Sequence, residues 1–87
     1  MKLRSSNYVD PDAFSSAMLR HMVTTQVGGK LDDAEYSGAV SAAIRSHGLK
    51  QRDGGVDLRE KSLGYLSYVS GVVAENILLA RMQGRNT

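Results

Sequence analysis

The segment SLGYLSYVSGVVAENILLA, residues 62–80, carries a single charged side chain, Glu75. It has no proline and no alternation of period two, so it reads as part of one long helix that is apolar around most of its circumference. Leu66, Val69, Val73, Ile77 and Ala80 form one seam. Leu63, Val72, Leu79, Tyr65 and Tyr68 spread apolar character to the other sides. A helix that is hydrophobic nearly all round must be buried nearly all round. An 87-residue chain builds only a modest core, and two shorter amphipathic helices cannot wrap such a rod. The surplus is therefore expected to go to a second copy of the chain or to another protein.

The other elements are marked by their ends. Val9-Asp10-Pro11 is a helix start, because Asp10 can accept from the free N–H groups of the first turn and Pro11 has none to lose. Leu31-Asp32-Asp33-Ala34-Glu35-Tyr36 repeats the device, with Asp32 as cap, Glu35 reaching back and Leu31 stapled to Tyr36. Asp57 and Glu60 show the same spacing and predict the third start. Gly28-Gly29, Gly48 and Gly84 are the expected stops, and Leu49 after Gly48 suits a fold-back onto Ile44. The expected fold is all-α: three helices at about 11–27, 32–47 and 57–83 in one domain spanning 1–87. Residues 1–8 and 84–87 are expected to be flexible ends, and 49–55 a polar loop. On helix one, Phe14, Ala17, Met18, His21 and Met22 are expected to face inward, widened by Leu19 and Val23. On helix two the inward set is Tyr36, Ala39, Val40, Ala43, Ile44 and His47. Gly64, Ser67, Gly71 and Ala74 form a stripe of small residues that would let another helix approach closely.

Residues 66–81 resemble the helix-turn-helix superfamily in their spacing. Under that resemblance Leu66 is buried in a first helix, Ser67 lies where two helices cross, and Gly71 is the turn. Val72, Ile77 and Ala80 are then the buried residues that follow. The resemblance implies DNA binding, with Val73, Ala74, Glu75, Leu78, Leu79 and Met82 facing the groove. Base edges are read by Arg, Lys, Asn, Gln, Ser or Thr, and that face is mostly apolar with an anion among the phosphates. The residues favour a continuous helix.

Composition leaves little room for catalysis. There is no cysteine, and the two histidines, His21 and His47, are too few for a zinc site. His21 reads as a packed, hydrogen-bonded histidine and His47 as a cation suited to a helix C-terminus. Asp10, Asp32 and Asp57 each precede a helix, so capping accounts for them. Asp32, Asp33 and Glu35 lack the ligand series of a calcium loop. Gly28-Gly29-Lys30 lacks the spacing of a phosphate loop. The chain is expected to be non-enzymatic and to need no cofactor or metal. Eleven Lys and Arg against nine Asp and Glu give a net +2, too small a surplus to demand a nucleic-acid partner.

Residues 62–80 only just reach spanning length. They hold Ser62, Ser67, Ser70, Glu75 and Asn76, and a carboxylate at mid-membrane is costly. No apolar run follows Met1-Lys2-Leu3-Arg4, so no secretion signal is read. The expectation is a soluble, cytoplasmic homodimer or higher oligomer without a membrane partner. Its role would be to regulate, inhibit or adapt a larger protein or nucleoprotein complex, in the manner of phage or mobile-element accessory proteins. The expected interface is Tyr65, Tyr68, Val72, Glu75, Asn76, Leu79 and Met82. Glu75 and Asn76 are either one solvated stripe or a polar contact that fixes register. The alternative is a small DNA-binding transcriptional regulator touching phosphate through Arg45, Lys50, Arg52, Arg59, Lys61, Arg81 and Arg85.

Overall fold

The computed structural model describes residues 11–52, 55–58 and 63–85, with side chains from 15 to 84 within those ranges. Among them the chain runs α1 (Pro11–Gln26), α2 (Asp33–His47), β1 (Gln51–Arg52), β2 (Gly55–Val56) and α3 (Leu63–Arg85). The fold is thus mostly helical, with one short antiparallel strand pair in which Gln51 faces Val56 and Arg52 faces Gly55.

The α2 ends follow the chemistry of their residues. Asp32 sits in extended backbone and its Oδ1 accepts from the Ala34 N–H at 3.3 Å. Gly48 takes the left-handed conformation at φ 63° and ψ 35°, and its N–H returns to the Ile44 carbonyl. The Leu49 N–H reaches the same carbonyl at 3.2 Å, and the Leu49 side chain packs on the core. The α1–α2 connection turns through Gly28 and Gly29, both at φ 99°. Arg20 holds that turn: its Nη2 donates to the Leu31 carbonyl at 3.2 Å and pairs with Asp33 at 2.7 Å. Its guanidinium lies 4.9 Å from the centre of the Tyr36 ring.

α3 is a single helix of 23 residues that runs through Gly71 without a corner. The two short helices that the helix-turn-helix spacing implied for 66–81 are therefore not formed. The core is built around this rod. Leu66, Val69, Val72, Val73, Ala74 and Ile77 meet Leu19, Val23 and Val27 from α1 and Ala39, Val40, Ala43 and Ile44 from α2. Ser70 is fully buried among them. Its hydroxyl donates to the Ser67 carbonyl at 2.9 Å and accepts from Gln26 Nε2 at 2.8 Å, so its burial leaves no polar atom unpaired.

Five expectations are corrected. α3 begins at Leu63, not near Asp57, because Val56 and Leu58 alternate with Asp57 in extended chain and both enter the core. That alternation also makes part of the expected polar loop a strand pair, tied by the Asp57 N–H to the Lys50 carbonyl at 2.7 Å. Gly84 lies inside α3 rather than after it. On α1 the buried line is Leu19, Val23 and Val27, with Met18 and Met22 partly covered, while Ala17 and His21 are exposed. His47 is exposed as well. The face of α1 is rotated because Leu19 and the β-branched Val23 supply more apolar area than Ala17 and His21. Of the flexible end expected at 84–87, residues 84 and 85 belong to α3 and 86–87 lie outside the described residues, as do the Asp10 cap and the flexible end expected at 1–8. So do the side chain of Phe14 and Glu60.

Candidate interaction surface

α2 and α3 lie side by side and run in opposite directions. Glu35 near the start of α2 meets Arg81 near the end of α3, and His47 at the end of α2 meets Tyr68 near the start of α3. α1 packs on another side of α3 through Leu19, Val23 and Val27. What these two neighbours leave open is one long face of α3. Tyr68 is 49% exposed, Leu78 42%, Leu79 49% and Met82 55%. These residues recur at helical spacing with Gly64, Gly71 and Glu75 between them, so they form one stripe. Leu63 at the head of the helix is 71% exposed.

Four side chains of this size, half exposed at roughly 100 Å² each on the scale of aromatic burial, amount to about 400 Å². That falls in the ~300–600 Å² range of the largest apolar patch on an ordinary monomer, a patch that often marks a binding site. Leu63–Gly84 is also long and apolar enough, by length and composition, to cross a membrane, with a mean hydropathy of 1.3. Glu75 lies in the middle of it, exposed.

The stripe continues sideways onto α2. The outward line of α2 is Ala34, Gly38, Ser41 and Arg45, all exposed. Between that line and α3 runs an open groove of about 450 Å³, walled by Ala34, Gly38 and Ala42 on one side and Asn76, Leu79 and Gln83 on the other. Ala39 and Ile77 lie at its floor.

Of the expected interface residues, Tyr68, Glu75, Leu79 and Met82 stand on the outward stripe. Val72 does not: it is 6% exposed and belongs to the protomer's own core. Tyr65 is half-buried against the core, its ring tilted 45° to that of Tyr68 at 6.4 Å. Burial raises the Tyr65 hydroxyl above its ordinary pKa, and Tyr68 adds to the shift. Asn76 uses its amide within α3, donating to the Val72 carbonyl at 3.0 Å. Leu63 and Leu78 are exposed apolar residues outside the expected interface; the all-round apolar character of the segment gives no direction by which to single them out.

Arg81 is placed by the structure in a role the sequence did not indicate. Its Nε and Nη2 form a two-pronged contact with the Glu35 carboxylate at 2.6 and 2.9 Å. Nη1 donates to the Val27 carbonyl at 3.2 Å and Nη2 to the Lys30 carbonyl at 2.8 Å. One guanidinium thus ties the end of α1, the glycine turn and α2 to α3. The hydrogen bond from Arg81 holds the Glu35 carboxyl below the ordinary carboxylate range, and the Asp32 backbone N–H adds to this, as a capping box would. Its counterpart effect pushes the Arg81 guanidinium further up. Four of its five N–H donors are committed in this way, so the Arg81 expected to contact phosphate is engaged within the protomer.

Among the other expected phosphate contacts, Arg45, Lys50 and Arg52 are exposed near the end of α2 and the strand pair. Arg59, Lys61 and the side chain of Arg85 lie outside the described residues. His47 Nδ1 lies 3.3 Å from the Tyr68 hydroxyl, and the two rings meet edge to face. Among the described residues no cluster of three His, Cys, Asp or Glu is placed to hold a metal. Comparison with known proteins finds no matching family model, no similar curated protein and no similar solved structure.

Proposed function

We propose that this chain is a small, soluble, non-enzymatic binding protein that works as a homodimer. It would regulate, inhibit or adapt a larger protein or nucleoprotein complex, in the cytoplasm and without a cofactor. One observation carries the reading: Tyr68, Leu78, Leu79 and Met82 stand side by side on α3 with 42–55% of their surfaces exposed. A lone protomer in water would keep that area hydrated at a free-energy cost of about 25 cal/mol per Å². Apolar burial is not screened by salt, so association should survive at high ionic strength.

Sedimentation across a concentration series in low and high salt tests this. The expected result is a dimer under both conditions, and Leu79→Glu should return it to monomer with its helix content intact. A monomer at every concentration, with the native chain instead partitioning onto zwitterionic vesicles, would overturn the soluble dimer in favour of a membrane-seated helix.

A second reading rests on Arg45, Lys50 and Arg52, which gather cationic side chains at one end of the molecule. In that reading the dimer grips DNA backbone through these ends, without the helix-turn-helix. A duplex mobility shift lost as salt rises would support it, and Arg45→Ala with Lys50→Ala should then remove the shift.

A further inference from the structure

Three glycines with open space beside their Cα lie within helices, Gly38, Gly71 and, in the last turn of α3, Gly84; the first two stand well inside their helices. Gly38 on α2 and Gly71 on α3 have ordinary helical backbone, and a methyl group added at either would meet nothing within 4 Å. Glycine in a helix interior costs about 1 kcal/mol relative to alanine, and here no close contact inside the chain offsets it. Both positions open onto the α2–α3 face that also carries the exposed stripe.

That face has two complementary halves on one surface. α3 presents a ridge of large side chains, Leu78, Leu79 and Met82, and α2 presents a flat line of small ones, Ala34, Gly38 and Ser41. A two-fold dimer uses the same patch on both copies, so that whatever one copy's residue contacts, its twin contacts in return. A two-fold axis running along the groove sets each ridge on the other copy's small line. The stripe of about 400 Å² that Tyr68 and this ridge expose together, taken with the groove and the α2 line beside it, extends toward the ~800 Å² per partner of a stable interface.

The charges match in the same register. Glu35 is level with Arg81 and His47 with Tyr68, so Glu75, midway along that span, is level with Ser41. Arg45 lies one helical turn from Ser41 on the same outward line. Neither the Glu75 nor the Arg45 side chain makes an ion pair or hydrogen bond with a described residue. We infer that a second copy of this chain docks on the α2–α3 face with its α3 ridge over Gly38, and that Glu75 of each copy pairs with Arg45 of the other. This rests on the homodimer reading above and adds its register.

Charge exchange between separate chains is the test. Glu75→Arg leaves one chain with two cations at these positions, and Arg45→Glu leaves another with two anions. Each variant alone should dimerise at least ~10-fold more weakly than the native chain, because like charges then face each other twice. Mixed in equal amounts, the two variants should form a heterodimer with near-native affinity, which a contact within one chain cannot produce. Gly38→Leu gives a readout independent of charge. It should abolish the dimer while circular dichroism shows an unchanged or slightly more helical protomer.

If the native chain dimerises but the mixture does not recover and Gly38→Leu is inert, this register is wrong and the homodimer reading stands. If the native chain is a monomer throughout, both fall.

Discussion

On one side of α3, Leu66, Val69, Val73 and Ile77 are at most 5% exposed, while on the other Tyr68, Leu79 and Met82 remain about half exposed. The residue types barely differ. What differs is the neighbour: α1 and α2 bury the first side under Val23, Val27, Val40, Ala43 and Ile44, while the second meets only the edge of α2, where the exposed His47 touches Tyr68. Polar placement follows the same division. Ser70, on the covered side, has both hydrogen bonds supplied from within the protomer, whereas Glu75, on the open side, has no described partner. Hydrophobicity along a helix therefore measures how much cover it needs. It does not say who provides that cover.

The sharpest way to break this contrast is to truncate one residue on each side. Ile77→Ala should destabilise the protomer by about 2–5 kcal/mol, since Ile77 is 1% exposed and the space it leaves cannot fill. Leu79→Ser should change protomer stability by no more than about 0.5 kcal/mol, measured by urea unfolding at a concentration low enough to separate any dimer. Comparable losses from the two would mean that Leu79 is covered by its own chain, and the distinction between the sides of α3 would fail.

Gly71→Ala sharpens the contrast with a smaller effect. Gly71 stands on the open side and its added methyl meets open space, so the protomer should gain about 1 kcal/mol through helix propensity alone. The sign is the informative part. If a second copy approaches closely at Gly71, association should weaken while the dilute protomer becomes more stable, and unfolding followed at two protein concentrations separates these effects. A loss of stability in the dilute protomer would show that Gly71 is needed for packing within the chain.

The two sides of α3 were not equally legible. The continuity of the helix could be read from its unbroken apolar run, and so could the ends of α2, because Asp32 and Gly48 act on their immediate neighbours. The start of α3 could not: Asp57 and Glu60 imitate a capping pair, while the alternation of Val56 and Leu58 around Asp57, which decides for extended chain, is only three residues long. The inward sides of α1 and α3 were blurred for a different reason. A helix with apolar residues at most positions has a weak preferred direction, so His21 and Val72 were expected at the surface opposite to the one each occupies. Arg81 was beyond sequence reading altogether. Its partner Glu35 is 46 residues away, and nothing local distinguishes a structural arginine from one that meets phosphate.

The Arg81 contact supplies the smallest and most conditional of the tests. It bears on the covered side of α3, where polar groups are satisfied inside the protomer. The hydrogen bond from Arg81 depresses the Glu35 pKa below the ordinary glutamate value of about 4.5. A carboxylate whose folded pKa is depressed stabilises the fold above the unfolded pKa and loses that contribution as pH falls through the folded one. The native chain should therefore lose stability below about pH 4.5 more steeply than Glu35→Gln, with the gap between them widest near neutrality and closing in acid. Thermal unfolding midpoints of the two chains at matched ionic strength would reveal this. Because the side chains of Arg81 and Glu35 are still 29% and 25% exposed, salt should narrow the gap as well. Glu75→Gln, on the open side with no described partner, should leave the acid limb of the dilute protomer unchanged. If it instead reproduced the Glu35→Gln profile, Glu75 would have a charged partner within its own chain, and the division between self-satisfied and outward-facing polar groups on α3 would not hold.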